Sequence, residues 1–171
     1  MGAEEFVAAY RLERHPEGGW FREMHRSPRP LGQIPGYPGA RTAFSAIYFL
    51  LSRGDFSAFH RLRSEEAWIH LAGDPLELIL LGEEVRRLKV GPAAAGGEPV
   101  AVVPAGELQA ARSCGEYTLS ACFVAQWFDF DGGTLHLFFL AGAFPFLFSS
   151  EASLAQEASS SSSSTISSGT S

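Results

Sequence analysis

Apolar and polar residues alternate over short runs along most of this chain, and only its first residues follow a longer period. Phe6, Val7 and Tyr10 fall at helical spacing behind Glu4 and Glu5, so residues 3–13 are expected to form a short helix with acidic residues at its N-terminal end. His15-Pro16-Glu17-Gly18-Gly19 then interrupts it, because Pro and paired Gly break regular structure. Residues 20–26 read as a first strand. Residues 27–40 hold four prolines and three glycines, which predicts a long loop of the kind that serves as a lid or binding segment. Beyond it, residues 42–51, 56–62, 66–72, 75–81, 85–90, 100–103, 109–112 and 117–125 are short apolar-rich runs divided by Gly, Pro, Ser or charged turns. Closely spaced short strands predict an all-β fold, an antiparallel jelly roll behind one short helix.

The texture changes again near the end. Residues 135–148 are a 14-residue apolar run containing His136 and Pro145. A bilayer needs about 20 apolar residues in a helix, so no membrane span is expected there. Residues 149–171 contain 12 serines in 23 positions, too polar to offset chain entropy by burial, and are expected to be disordered. The expected organisation is a folded domain over residues 1–131, an apolar segment of open status over 132–148 and a Ser-rich tail.

With 171 residues, of which 46% are hydrophobic, the chain can bury one core. The formal net charge of −6 argues against a nucleic-acid partner, which needs a basic surface. Cys114 and Cys122 are too few for a disulfide framework and read as small buried residues. The first fifteen residues lack the apolar core of a signal peptide, so a cytoplasmic, membrane-free protein is expected. Unpaired sheet edges favour self-association, so a homodimer is expected, with residues 20–26 contributing.

One constellation carries chemistry. Gly54 stands six residues before His60, Glu66 six after it, and Gly73 seven after Glu66; Pro104-Ala105-Gly106 stands just before Gln109. This resembles the two signature motifs of the cupin superfamily, Gly-x5-His-x-His-x3-Glu-x6-Gly and Pro-x-Gly-x2-His. Further segments follow in the same order: His15-Pro16-Glu17-Gly18-Gly19-Trp20, Ile47-Tyr48-Phe49-Leu50-Leu51, Phe59-His60-Arg61, Ser64-Glu65-Glu66-Ala67-Trp68, Gly73-Asp74-Pro75-Leu76 and Val103-Pro104-Ala105-Gly106. Together they resemble cupin family five, long described as a domain of unknown function, over residues 3–131. The resemblance implies a small jelly-roll barrel with an inward-facing site. Leu62 and Gln109 stand where the superfamily motif has two of its metal-binding histidines, substitutions usual in this family. Residues 125–130 depart from the Ala-Pro-Gly-Phe usual in relatives.

Strand alternation puts Glu66, Trp68 and His70 on one stripe and His60 with Leu62 on another. His60 and Glu66 on adjacent antiparallel strands would both project inward, Gln109 would join them, and Trp68 would wall a pocket for a small molecule. Arg22 and Glu23 are expected at its mouth, with His70 and Phe128 as further ligand contacts. His15 and His25, beside turns, are expected at the surface, and Ser57 only to begin its strand. Three functions follow. A metal-free isomerase or epimerase would use His60 as base, Glu66 to orient it and Tyr48 as acid, as some sugar-epimerising cupins do. A metal enzyme would hold one divalent ion with His60, Glu66 and Gln109. A binding module would keep the pocket without the chemistry.

Overall fold

The computed structural model describes residues 1–35 and 40–125; the expectations for Phe128, for residues 132–148 and for the Ser-rich tail lie outside them. Helix α1 (Ala3–Tyr10) is followed by β1 (Glu13–Arg14), β2 (Trp20–Arg26), β3 (Pro30–Gln33), β4 (Ala40–Thr42), β5 (Phe44–Ser52) and β6 (Phe56–Arg61). Then come β7 (Glu66–Gly73), β8 (Leu76–Leu81), β9 (Val85–Val90), a 3-10 turn (Ala93–Ala95), β10 (Val100–Val103), β11 (Leu108–Ser113) and β12 (Tyr117–Ala125). One sheet runs β1-β2-β5-β12-β7-β10 and another β6-β11-β8-β9, and neighbouring strands within each are antiparallel. This is the jelly-roll sandwich that the short-strand pattern predicts.

Phe49 and Leu51 of β5, Trp68 of β7, Leu78 and Leu80 of β8 and Ala111 of β11 meet between the two sheets. The opposite face of β5 is also buried, because Leu50 packs with Leu119 of β12 under Phe6 and Leu12 from the N-terminal segment. Helix α1 thus covers one sheet's outer face. Each large apolar side chain withdrawn this way contributes about 1.5–3 kcal/mol.

The helix stops three residues earlier than its periodicity predicts. Arg11 adopts the left-handed conformation (φ 53°) and the Leu12 N–H bonds back to the Val7 carbonyl at 2.9 Å, which closes the helix. Residues 13–14 are then free to pair with Trp20 and Phe21 around the Gly18-Gly19 turn. The expected loop at 27–40 is also corrected. Its flanks pair as the β3–β4 hairpin, which prolongs the β2–β5 ladder through Ser27 N–H to Phe44 O (2.9 Å) and Ala43 N–H to Arg29 O (3.2 Å). Proline is tolerated there because Pro30 only begins an exposed strand. Cys114 is exposed, contrary to expectation, while Cys122 is buried. No helix among the described residues is long and apolar enough to cross a membrane.

Candidate functional site

Two bulges aim the polar residues of the site. On β6, Gln109 faces His60 while Ala111 faces Ser57, so three steps on β6 match two on β11. Simple alternation would separate Ser57 from His60; the extra residue turns both inward, and they are only 1% and 4% exposed. The bulge is held from both sides. The Ala58 N–H donates to the Glu17 carbonyl (2.8 Å), and the Ala58 carbonyl accepts the His60 Nδ1–H (2.8 Å). On β2, Glu23 pairs with Ile47 and His25 with its neighbour Ala46, so Met24 is the extra residue. Glu23 and Arg26 therefore share a face despite standing three apart.

Cross-strand register then assembles one wall. Arg26, Ser45, Val124 and Glu66 form one row across β2, β5, β12 and β7, and Glu23, Ile47, Cys122 and Trp68 form the next. Against them stand Ser57 and His60 from the other sheet, and His15 and Glu17 from the β1–β2 turn. Together these line a cavity of about 110 Å³ that opens at one side. Phe21 and Phe49 line its apolar side, and His15 packs edge-on against both rings. At the rim, Arg26 pairs with Glu23 at 2.6 Å; their side chains are 42% and 40% exposed.

His60 sits between two buried carboxylates. Its Nδ1 is 3.4 Å from Glu17 Oε2, and its Nε2 is 3.9 Å from Glu66 Oε2, an ion-pair distance longer than a direct hydrogen bond. Burial by itself lowers the imidazole pKa, but Glu66 and Glu17 together with the Ala58 carbonyl outweigh it and raise the pKa to about 9. His60 is therefore an imidazolium at neutral pH. Glu66 is fixed in turn: its Oε2 accepts Gln109 Nε2–H at 2.5 Å, and Gln109 Oε1 accepts the Trp68 indole N–H at 3.0 Å. Because an indole only donates, the Gln109 amide has one orientation, oxygen to Trp68 and nitrogen to Glu66.

A raised histidine pKa ties stability to pH. Below the unfolded value near 6.5 both states hold the proton and the full stabilisation is present; it is lost as pH rises through about 9. The total is on the order of 3 kcal/mol. Urea unfolding at a series of pH values should show this decline, and a His60→Gln variant should lose that component of it.

His60, Glu66, Gln109 and Trp68 meet as the sequence predicts, but His60 and Glu66 face each other from opposite sheets, not from adjacent strands of one sheet. Tyr48 is corrected. It alternates with the inward Ile47 and Phe49, so it points to the helix side, where its ring stacks on Tyr10 at 4.8 Å. Arg22 is corrected for the same reason: its guanidinium lies over the Tyr48 ring, 5.4 Å from the centroid, away from the cavity. Glu23 does reach the mouth. His70 shares the Trp68 face but lies farther along the strand, outside the cavity wall, where its Nε2–H points at the carbonyls of Gly73 (3.2 Å) and Asp74 (3.3 Å). His25 is exposed, with its ring 5.1 Å from Phe44. Three residues that strand alternation does not single out, Glu17, His15 (expected at the surface) and Ser57 (expected only to begin its strand), all line the cavity. The available signal was the Gly18-Gly19 pair. Gly18 has φ +104°, and a Cβ there would stand 2.1 Å from the Phe56 carbonyl oxygen. Only glycine lets the turn lie against β6 and carry Glu17 into the interior.

The metal centre implied by the motif does not fit these donors. The Gln109 oxygen is committed to Trp68, its amide nitrogen holds one oxygen of the Glu66 carboxylate, and His60 Nδ1 is tied to the Ala58 carbonyl. Among the described residues, no three His, Cys, Asp or Glu side chains are grouped to hold an ion.

Comparison with known proteins agrees with this architecture. The family model described as "Cupin superfamily (DUF985)" matches residues 4–136. A hypothetical protein from Leishmania major is 28% identical, with a TM-score of 0.73 over 86% of this chain and 93% of that one. A protein from Shewanella oneidensis is 31% identical, with a TM-score of 0.72 over 85% of this chain and 89% of that one. A variant of oxalate decarboxylase from Bacillus subtilis is 14% identical, with a TM-score of 0.52 over 79% of this chain and 34% of that one, a likeness of fold alone. No curated protein matches the chain.

Proposed function

The chain belongs to the cupin superfamily, in the family described as DUF985, and from that premise we propose that it is a metal-independent enzyme moving a proton next to the carbonyl group of a small molecule. The observation that carries this reading is the buried His60, held between Glu17 and Glu66 at the wall of a small cavity. A protonated imidazole is a general acid, so the role expected for His60 from sequence is reversed. His60 donates a proton to the carbonyl oxygen, while the Glu66 carboxylate takes the proton from the adjacent carbon. The carbon's electron pair becomes the double bond of an enediol. His60 then regains a proton from the enediol's other hydroxyl while Glu66 delivers its proton to the former carbonyl carbon, which moves the carbonyl by one carbon, isomerises the compound and restores both side chains. The 3.9 Å between Nε2 and Oε2 suits an acid and a base acting on neighbouring atoms of one guest. Gln109 positions the base through its 2.5 Å bond to Glu66.

The test is solvent exchange. Purified full-length protein in D2O is incubated with a panel of short hydroxy aldehydes and hydroxy ketones, and deuterium entering the carbon next to the carbonyl is followed by NMR. Exchange is expected with at least one member and should fall at least 100-fold in His60→Gln and in Glu66→Gln. Tyr48→Phe should leave it within about twofold, since that ring faces the helix. Exchange that survives His60→Gln would refute the reading, and binding without exchange across the panel would favour a ligand-binding module.

A further inference from the structure

We infer that the guest of this cavity carries no negative charge: it is a small uncharged hydroxy-carbonyl compound, and not a carboxylate or a phosphate ester. The inference rests on the reading of the cavity as a small-molecule site and narrows the class of molecule that enters it.

Among the described residues, the charged groups lining the cavity are Glu17, Glu66 and Glu23 against His60 and Arg26. Each cation already faces a carboxylate. His60 lies between Glu17 at 3.4 Å and Glu66 at 3.9 Å, and the Arg26 guanidinium contacts both Glu23 oxygens at 2.6–3.2 Å. His15 turns the Nδ1 side of its ring to the backbone, accepting the Glu17 N–H at 3.2 Å. The described walls thus set three carboxylates around the His60 imidazolium and the Arg26 guanidinium. An anion that reached His60 would lie within a few ångström of both Glu17 and Glu66, in a setting where water screens little.

The same walls suit an uncharged polar guest. Carboxylate oxygens of Glu17 and Glu66 accept hydroxyl hydrogens, while His60 offers a donor to a carbonyl oxygen. Phe21, Ile47 and Phe49 take the carbon side. The volume favours a small guest: about 110 Å³ is less than the roughly 150 Å³ cavity known to admit benzene. Within this set, Glu17 is the residue that decides specificity, because its carboxylate stands 3.4 Å from His60 and does not serve as the proposed base.

Three probes of similar shape test this: lactamide (uncharged), lactate (anionic) and 1-amino-2-propanol (cationic). Binding to the full-length protein near neutral pH is read from the Trp68 indole and His60 ring NMR signals. Lactamide should bind at least tenfold more tightly than lactate, and Glu17→Gln should narrow that gap at least tenfold. The comparison on the unmodified protein stands even where the variant folds poorly. Lactate binding as tightly as lactamide, 1-amino-2-propanol binding most tightly, or lactamide failing to bind would each overturn the inference. Its failure is distinct from failure of the proposed reaction: selective binding without deuterium exchange removes only the reaction, and exchange on an anionic substrate removes only this inference.

Discussion

Replacing His60 with leucine should destabilise the fold by about 3–5 kcal/mol at neutral pH, well beyond the loss from a typical core substitution. The reason is electrostatic. Leucine fills similar space, so the cavity term is small, but it leaves Glu17 and Glu66 buried on either side of a position that no longer carries a positive charge. The destabilisation should shrink as pH falls and the carboxylates take up protons. Urea unfolding at several pH values measures both effects. A loss below about 1 kcal/mol at neutral pH would mean that the two acids do not depend on the imidazolium.

Gly18→Ala should have a comparable effect from outside the charged cluster. A side chain at φ +104° costs about 1–3 kcal/mol in backbone strain. The Cβ would also stand 2.1 Å from the Phe56 carbonyl oxygen, so the turn must lift from β6. Lifting it stretches the 2.8 Å bond from the Ala58 N–H to the Glu17 carbonyl, which secures the bulge under His60. The summed loss should reach at least about 3 kcal/mol, with the site distorted as well. Gly54→Ala is the matched control. Gly54 has φ +84° but nothing within 4 Å of an added Cβ, so only the strain remains and about 1 kcal/mol should be lost. Equal losses at the two positions would show that the contact with β6 contributes nothing.

The strands were legible because short apolar runs bounded by turn residues have few alternatives, and the residues that enter the site from regular strand positions were legible with them. Glu66 and Trp68 keep simple alternation on β7, so counting by two finds both. Tyr48 defeats the same count because both faces of β5 are buried, one against the opposite sheet and one under α1; parity along an apolar strand does not say which face is the lumen. His70 lies on the right stripe but too far along it, and sequence spacing carries no information on where a cavity ends. Ser57 and His60 share a face only through a bulge, which no alternation rule anticipates. Glu17 lies in a turn with no period at all. Its entry depends on two glycines whose packing against β5 and β6 appears only in three dimensions.

The claim on which this account depends is that His60 is a buried imidazolium clasped by two carboxylates beside the cavity. Long-range proton–nitrogen NMR of histidine-labelled protein, titrated through neutral and alkaline pH, tests it directly. Both ring nitrogens of His60 should stay protonated until the pH approaches about 9. A ring that has become neutral by the ordinary histidine value near 6.5 would contradict the account.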